Sequence, residues 1–508
     1  MTTSIHPLQT TNLIRDSYLR YLKTIYPFQD QELRTEFWHA LETPELLVKG
    51  PLLEASPPFE SGRSIGQLID DGVLHTGFRR LCSDALPLER PLYLHQEQGV
   101  TKVVRDNRNV VVATGTGSGK TETFLVPIFD HLLCEQESGT LVQPGIRALL
   151  LYPMNALAND QLKRLRRVLA DFPAITFGRY TGETKEEPWD AEEAFRNQFP
   201  RDRLLPNELI SRQALRDSPP HILLTNYAML EYLLLRPRDC EFFDGETGRH
   251  WRFIVLDEAH VYDGASGIEI AMLLRRLKDR VVSSEPDRLR CIATSATLGR
   301  GREDFPKVVA FASEIFGEPF EWVDEDPVRQ NVVGATRLPM VAMRAPWGEA
   351  DQELYGALRD ALPAATVPAL AQIVLQHGVP QGIVQGARRD IGLRKGVAAI
   401  DRFLYLVLSG DARLHALQNK LAEAPRFLSA LAEELFPGSE DAAQRLVELV
   451  DVAARVKPTP ESLSLLPARY HVFARAGGRV CLSQQSGPRA RRAASTQIVP
   501  DPPRNLPV

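Results

Sequence analysis

Short apolar runs alternate with amphipathic stretches between residues 90 and 300, and this alternation restricts the fold more than any other feature of the sequence. The runs are apolar at every position, so both faces of the sheet that they form must be covered. Helical patterns at 162–169 and 268–277 lie between them. This order predicts an α/β domain with a parallel sheet. The predicted strands are 109–113, 148–152, 222–225, 253–256 and 291–294.

Length and composition limit the remaining possibilities. The 508 residues are enough for two to four domains, and the net charge of −5 gives no general attraction to nucleic acid. Five scattered cysteines without a CxxC pair indicate a reduced, cytoplasmic protein. The polar N-terminus does not resemble a signal peptide, and no apolar run approaches the ~18 residues of a membrane span.

Changes in composition predict four regions. Residues 1–88 are interpreted as an N-terminal helical extension and 89–325 as the α/β domain, in which 184–218 form a charged insertion on the surface. Residues 326–482 show helical spacing and predict a mostly helical domain. The last region, 483–508, is rich in arginine and proline, and we expect it to be disordered.

A glycine-rich loop follows the first predicted strand. Glycines allow several backbone N–H groups to point at phosphates, Lys120 places a cation near the β- and γ-phosphates, and the Thr121 hydroxyl can bind Mg²⁺. Thr114 stands where glycine or alanine is usual. A chance glycine turn is disfavoured because a strand precedes the loop and a helix follows it. The motif predicts ATP and Mg²⁺ as cofactors, with nucleotide contacts from Thr116, Gly117, Ser118, Gly119, Lys120 and Thr121.

An acidic pair follows the strand at 253–256. Asp257 is predicted to hold Mg²⁺ through water, and Glu258 to orient and deprotonate the attacking water. His260 would relay the nucleotide state to neighbouring motifs. An isolated Asp-Glu pair is more often a solvated helix start, but the buried strand and the upstream phosphate loop favour catalysis. Lys120, Asp257 and Glu258 are therefore the candidate catalytic residues.

The order of motifs between about 90 and 320 resembles superfamily 2 DEAD/DEAH-box helicases. Gln96 is similar to the adenine-contacting glutamine of that family, and Ser295 with Thr297 resembles the motif that couples hydrolysis to movement. The matching segments are Leu94-His95-Gln96, 153–161, 180–184, 225–230, Asp257-Glu258-Ala259-His260 and Ser295-Ala296-Thr297. The segments at 225–230 and 261–264 are most similar to the Lhr-like and mitomycin-repair-type helicases, and to the large helicases of the DISARM and Druantia phage-defence systems. The resemblance implies a RecA-like lobe.

Members of this group act on DNA, so the resemblance implies single-stranded DNA as the partner. Helix N-termini, backbone N–H groups and Ser, Thr or Asn side chains can all contact phosphates. A run of four cations at 163–167 could add charge, but such a run is equally a solvated helix face. The resemblance assigns nucleic-acid contacts to Pro153, Asn155, Thr181, Gly182, Thr225 and Asn226.

A helicase needs a second RecA-like lobe, which supplies an arginine worth roughly 10³–10⁵ in rate. Its glutamine–glycine–arginine–arginine signature is not found after Thr297, and a partial match at 484–492 is interrupted by Pro488. We therefore expect that the second lobe is absent from this chain or comes from another polypeptide. Cys481 has no neighbouring cysteine and is assigned no metal.

Three functions remain open on the sequence alone. The first is the ATPase lobe of a DNA helicase or translocase that acts in DNA repair or phage defence. The second is a nucleotide-gated nucleic-acid-binding subunit that needs a partner for turnover. The third is an RNA-directed translocase, whose binding would depend on the 2′-hydroxyl. A small-molecule kinase is disfavoured, because the DEAH and SAT segments would have no purpose in it.

Overall fold

A computed structural model describes residues 6–41, 47–81, 83–115, 117–296, 301–341, 343–391, 396–459, 462–474, 480–483 and 497–500. Two predicted site residues, Thr116 and Thr297, lie outside this described part. So does most of the predicted disordered tail, in which only Ser483 and Gln497–Pro500 are described. The chain forms two compact units, one of Phe59–Arg337 and one of Met1–Pro58 with Leu338–Val508.

The strands and helices are numbered in chain order. The strands are β1 (Val48–Ala55), β2 (Ser61–Ser64), β3 (Pro91–Tyr93), β4 (Val110–Ala113), β5 (Ala148–Tyr152), β6 (Phe177–Arg179), β7 (Glu208–Leu209), β8 (Ile222–Asn226), β9 (Phe253–Leu256), β10 (Arg290–Ser295), β11 (Val332–Gly334), β12 (Arg426–Phe427), β13 (Ala468–Ala474), β14 (Val480–Ser483) and β15 (Gln497–Pro500).

The helices are α1 (Pro7–Ile25), α2 (Gln31–Leu41), α3 (Ile65–Asp70), α4 (Leu94–Val104), α5 (Lys120–Ser138), α6 (Asn155–Leu169), α7 (Pro188–Gln198), α8 (Arg212–Asp217), α9 (Tyr227–Leu235), α10 (Gly264–Val282), α11 (Phe305–Phe316), α12 (Leu354–Ala361), α13 (Val367–Gln376), α14 (Gln381–Asp390), α15 (Gly396–Leu408), α16 (Ala412–Glu423), α17 (Leu428–Leu435) and α18 (Ala442–Arg455). Short 3₁₀ turns join several of them.

A parallel sheet organises the unit Phe59–Arg337. Its strand order within the described residues is β11-β4-β10-β9-β5-β8-β6-β7, and all neighbouring strands run parallel. The five strands expected from the sequence are all present, and the prediction of a parallel α/β fold is confirmed. Because the strands are parallel, their carboxyl ends meet at one edge, where α/β sheets bind ligands.

Two hydrophobic cores cover the two faces of this sheet. In β5, Leu149 and Leu151 pack into the core that contains α10 and α11, whereas Leu150 and Tyr152 pack into the core that contains α4, α5 and α6. Successive strand residues point to opposite faces, so a strand covered on both sides must be apolar at every position. This double burial is the physical reason for the continuous apolar runs.

The division of the chain differs from the predicted boundaries in the region 1–88. Ile65, Leu68 and Phe78 are buried in the same core as the central strand β4, so the segment after Pro58 belongs to the sheet unit. The segment before it contributes β1, which pairs antiparallel with β13. Residues 1–88 are therefore not a separate helical extension.

The insertion at 184–218 also differs from the predicted surface excursion. It contributes α7 and α8, and β7 extends the parallel sheet at its edge beside β6. Glu208 of β7 is buried and binds Arg166 of α6 through two contacts of 2.7 Å. The insertion is therefore part of the folded domain.

Helices dominate the second unit. Helices α12 to α18 enclose a core that includes Leu354, Phe403 and Leu446, and Leu53 of β1 is buried in the same core. A three-stranded antiparallel sheet, β12-β1-β13, completes this unit, and β14 pairs antiparallel with β15. No helix in the described part of the chain is long and apolar enough to cross a membrane.

Candidate functional site

The glycine-rich loop leaves the carboxyl end of β4 and enters α5. Gly117 and Gly119 have φ values of 76° and 70°, a left-handed conformation that glycine adopts without steric cost. A Cβ at Gly119 would also collide with the Gln96 amide. Glycine is thus required at Gly119 for two independent reasons, and the helix that follows presents its N-terminal N–H groups to the loop.

Thr114, where the sequence departs from the usual motif, is accommodated by a local hydrogen bond. Its hydroxyl lies 2.5 Å from the Ser118 hydroxyl, and its backbone N–H donates to the Ser295 carbonyl at 3.0 Å. The substituted residue therefore closes the loop upon itself and ties it to the end of β10.

Lys120 and Glu258 form an ion pair at the centre of the site. The Lys120 Nζ lies 3.2 Å from Glu258 Oε1 and 3.4 Å from Oε2, and the Lys120 side chain is only 9% exposed. A buried ammonium group needs a partner, because it has lost its water. Glu258 supplies this partner where a phosphate would otherwise bind.

Asp257 lies at the carboxyl end of β9 and is buried. Its Oδ1 accepts a hydrogen bond from the Thr294 hydroxyl, and its N–H donates to the Leu151 carbonyl at 3.0 Å. Burial raises the pKa of the Asp257 carboxyl, and the repulsion of Glu258 adds to this, while Thr294 and Lys120 oppose it. A divalent cation would relieve this cost, so the carboxylate fits a magnesium ligand.

Glu258 itself has a left-handed backbone with a φ of 50°, which is uncommon outside glycine. Its N–H donates to the Thr294 hydroxyl at 3.2 Å, so Thr294 holds both acidic residues. No motif in the sequence singled out Thr294. It lies one residue before the Ser-Ala-Thr segment and faces β9 in the sheet.

His260 connects the acidic pair to β10. Its Nδ1 lies 3.4 Å from Glu258 Oε2 and 3.3 Å from the Ser295 hydroxyl. The predicted coupling residues His260 and Ser295 are therefore in contact, and Ser295 also holds the phosphate loop through Thr114.

A second group of polar side chains extends along the same edge of the sheet. Asn226 caps α9 by accepting from the Met229 N–H at 2.8 Å, and its Nδ2 donates to Asn155 Oδ1 at 2.9 Å. Asn155 Nδ2 in turn donates to Glu183 at 3.1 Å, and Glu183 accepts from Arg179 at 2.9 Å. This network joins the carboxyl ends of β5, β6 and β8.

Comparison with known proteins identifies the domain that holds both groups. Residues 93–305 match the family model of the DEAD/DEAH box helicase. These residues form a DEAD/DEAH box helicase domain. The Druantia protein DruE of Escherichia coli (strain UMEA 4076-1) is 27% identical over 92% of this chain and 29% of its own length. The uncharacterized ATP-dependent helicase MJ1574 of Methanocaldococcus jannaschii is 29% identical over 46% of this chain and 29% of its own.

The chain thus spans less than a third of the length of these two curated relatives. Among solved structures, the chain is similar to the DUF1998 helicase MrfA bound to DNA, at 19% identity and a TM-score of 0.38, covering 77% of this chain and 51% of that chain. The DEAD-box helicase Mss116 bound to ssRNA and UDP-BeF gives 16% identity and a TM-score of 0.38, covering 60% and 53%.

The side-chain amide of Gln96 is not free to contact a base in this structure. Its Nε2 donates to the Gly119 carbonyl at 2.7 Å and to Glu122 at 3.2 Å, and its Oε1 accepts from the Tyr93 N–H at 2.8 Å. Both ends of the amide are therefore engaged within the domain. Contact with adenine would require exchange of at least one of these bonds.

Two predicted nucleic-acid contacts have side chains that point into the domain. Thr181 is fully buried, and the Thr225 hydroxyl, also buried, donates to the Tyr180 carbonyl at 2.6 Å. A contact with nucleic acid at these two positions would therefore have to come from the backbone, because a buried hydroxyl cannot reach a strand. Gly182 is exposed, while Pro153, Asn155 and Asn226 are half-buried at the edge.

The cationic run on α6 is mostly engaged with carboxylates of the helicase domain. Arg164 binds Glu122 at 2.5 Å, and Arg166 binds the buried Glu208. Lys163 lies 3.6 Å from Asp160, and Arg167 is exposed. Arg164 and Arg166 therefore serve the fold, and the polar edge is formed instead by Asn155, Asn159, Arg179, Gly182, Glu183 and Asn226.

Proposed function

We propose that this chain is the ATP-binding and ATP-hydrolysing lobe of a DNA helicase or translocase that works in DNA repair or phage defence. The observation that carries the proposal is the position of Lys120, Asp257 and Glu258 at the same sheet edge as the Asn155–Asn226 network. A nucleotide at the phosphate loop and a strand at the network would contact neighbouring loops of one rigid sheet.

The residues have separate roles in this mechanism. Lys120 and the N–H groups of Gly117 to Lys120 bind the phosphates, and Thr121 with Asp257 would hold Mg²⁺, which supplies charge neutralisation at the phosphoryl group. When the γ-phosphate takes over Lys120, the Glu258 carboxylate is released to accept a proton from the attacking water. His260 and Ser295 contact Glu258 and the loop, and they would report this change to neighbouring motifs.

Single-stranded DNA is proposed as the substrate because the segments at 225–230 and 261–264 resemble those of helicases that act on DNA. The DruE name connects the similarity to the Druantia protein set, and this supports phage defence as the setting. The neutral amides of the edge, Asn155, Asn159 and Asn226, suit contacts to a phosphate backbone without base specificity.

Steady-state ATP hydrolysis, with and without single-stranded DNA, tests the proposal, with Glu258→Gln as the blank. We expect turnover above the blank and a further rise with DNA, while Glu258→Gln binds ATP normally and loses turnover by roughly 10²–10⁴-fold, the usual contribution of a general base. Turnover that persists in Glu258→Gln would assign water activation to another group. Stimulation by RNA but not DNA would replace the substrate.

The second candidate is a nucleotide-gated binding subunit. The ion pair between Lys120 and Glu258 favours it, because the pair occupies the carboxylate that would accept the proton. In the absence of an arginine from another lobe, the domain would hold ATP and hydrolyse it slowly. Addition of a candidate partner that carries such an arginine distinguishes the two: turnover rises by more than about tenfold only for the subunit.

A further inference from the structure

The helix that begins at the nucleic-acid edge also contacts the phosphate-loop helix. Gln161 Nε2 on α6 donates to the Thr121 hydroxyl on α5 at 3.2 Å, and Arg164 Nη2 binds Glu122 Oε1 at 2.5 Å. Residues three apart lie on one face of a helix, so α6 presents both groups to consecutive residues of α5. Thr121 is the predicted Mg²⁺ ligand.

The contact at Glu122 continues to the loop itself. Glu122 is buried, and its Oε2 accepts from Gln96, whose same Nε2 donates to the Gly119 carbonyl. Arg90 approaches the first oxygen at 3.4 Å but is half exposed, so Arg164 supplies the shorter contact. Arg164 therefore holds the last glycine of the loop through two intermediates.

Two buried polar atoms next to these contacts lack a hydrogen-bond partner among the described residues: Gln161 Oε1 and the Tyr152 hydroxyl. Tyr152 is fully buried and directly follows Leu151, whose carbonyl accepts from the Asp257 N–H at 3.0 Å. Magnesium retains several waters, which need such polar partners. Water around an ion that Thr121 and Asp257 would hold would supply hydrogen bonds to both atoms.

The opposite end of α6 starts at Asn155, which binds both Asn226 and Glu183. Gln161 follows Asn155 by six positions, which is a distance of about 9 Å along the helix. A helix of this length is stiff, so a displacement of its first turn is transmitted to Gln161 and Arg164.

We propose that Gln161 and Arg164 are positioning residues that couple the nucleic-acid edge to the metal ligand and the phosphate loop. The coupling rests on the proposed function, whereas the positioning of Thr121 does not need nucleic acid. Neither residue touches the reacting atoms. Each acts through a neighbour on α5.

Magnesium dependence tests the positioning alone. For the full chain, we expect Gln161→Ala to weaken the apparent affinity for Mg²⁺ in the presence of ATP by about tenfold, as outer-sphere changes at metal sites do. ATP binding in EDTA stays within about twofold of the unmutated chain. Arg167→Ala, an exposed position on the same helix, serves as the matched control. An unchanged Mg²⁺ affinity in Gln161→Ala overturns the positioning of Thr121.

Coupling is tested by the ratio of ATP dissociation constants measured without and with saturating oligo-dT. The unmutated chain should give a ratio above one, and Gln161→Ala and Arg164→Ala should bring it towards one. Arg164→Lys, which keeps a cation near Glu122, should restore part of the ratio. Arg167→Ala should keep the full ratio even if its affinity for oligo-dT changes. The ratio compares two ATP dissociation constants, and oligo-dT is saturating in the second measurement.

The outcomes separate the two proposals. If the unmutated chain binds oligo-dT with a ratio above one and both alanine variants retain it, the coupling role is wrong and the proposed function stands. If the unmutated chain gives a ratio of one or binds no oligo-dT, the proposed function and the coupling both fail, and the Mg²⁺ measurement alone decides the positioning. Gln161→Ala removes only one neutral hydrogen bond, so we expect this variant to fold. It therefore tests the coupling even if Arg164→Ala does not fold.

Discussion

At the scale of single residues, the ion pair between Lys120 and Glu258 determines the state of the site before nucleotide binds. The Lys120 side chain is 9% exposed, and a charge so far from water is stable only beside an opposite charge. The same pair keeps the Glu258 carboxylate, the proposed general base, occupied. In the proposed mechanism, binding of a phosphate supplies Lys120 with a new partner and frees Glu258 in one step.

Lys120→Ala should strongly weaken ATP binding. The substitution removes the cation for the phosphates and leaves Glu258 as an unpaired carboxylate that repels them, so we expect affinity to fall by at least about tenfold. Titration with a labelled nucleotide measures this, with Lys163→Ala as the control on an exposed lysine. Affinity equal to that of the unmutated chain would contradict the assignment of the phosphate loop.

At the scale of elements, Arg166 is one of the residues that hold the insertion at 184–218 to the helicase domain. Arg166 of α6 binds the buried Glu208 of β7 at 2.7 Å through two nitrogens, and its guanidinium lies 4.8 Å from the Phe195 ring centre and 4.5 Å from that of Phe199. On the other side, Arg212 of α8 donates to the Thr181 carbonyl at 3.2 Å. The insertion thus supports the loop that carries Gly182 and Glu183.

Arg166→Ala should destabilise the sheet unit by roughly 3–5 kcal/mol, because it leaves the Glu208 carboxylate buried without a partner. The effect should be local, and limited proteolysis should cut first within 184–218. Arg167→Ala, the exposed neighbour, should change neither the unfolding free energy nor the cleavage pattern. Equal protease resistance of the two variants would show that the insertion is held by other contacts.

His221 links the starts of β8 and β6, since its Nδ1 accepts from the Thr176 N–H at 3.0 Å. Burial, with the nearby charge of Arg147 as the next cause, lowers the pKa of His221 to about 4. The unfolded chain has the ordinary value of about 6.5 and so binds more protons than the folded chain between these values. Stability therefore decreases as the pH falls from about 6.5 to about 4.

The contribution of His221 can be isolated with His221→Gln, which keeps an acceptor but does not titrate. Between pH 7 and pH 5 the unmutated chain should lose about 2 kcal/mol more unfolding free energy than the variant. Urea unfolding at the two pH values measures the difference. The same loss in both proteins would mean that His221 titrates normally in the fold.

At the scale of the whole molecule, the net charge of −5 sets the type of nucleic-acid contact that the chain can make. Many arginines of the helicase domain are paired with carboxylates, including Arg164, Arg166 and Arg179. The edge network consists largely of amides and backbone groups. Attraction over long distances is therefore weak, and binding has to come from short-range hydrogen bonds.

Binding of oligo-dT should accordingly depend weakly on salt. Each neutralised phosphate of a single strand contributes about −0.7 to the slope of log K against log salt concentration. We expect a slope of about −2 or shallower, corresponding to about three cation–phosphate contacts. Titrations between 50 and 200 mM salt are the measurement. A slope near −5 would reveal a cationic surface outside the proposed edge.

Sequence patterns determined the parts of this protein that depend on neighbours in the chain. The apolar runs placed the strands of the sheet, because double burial requires an apolar residue at every position. The phosphate loop and the acidic pair were identifiable since glycine, lysine and carboxylate chemistry at fixed spacing serves nucleotide binding. The order of the motifs then led to the DEAD/DEAH box helicase domain, which the comparison confirmed.

Only the tertiary structure decided the contacts between residues distant in the chain. In the fold, Thr181 and Thr225 are buried, and both ends of the Gln96 amide are hydrogen-bonded. Arg166 pairs there with Glu208. The fold also joins β1 to β13 across more than four hundred residues. The direction of a side chain and the partner of a charge depend on which elements pack together, and local spacing contains no information about that packing.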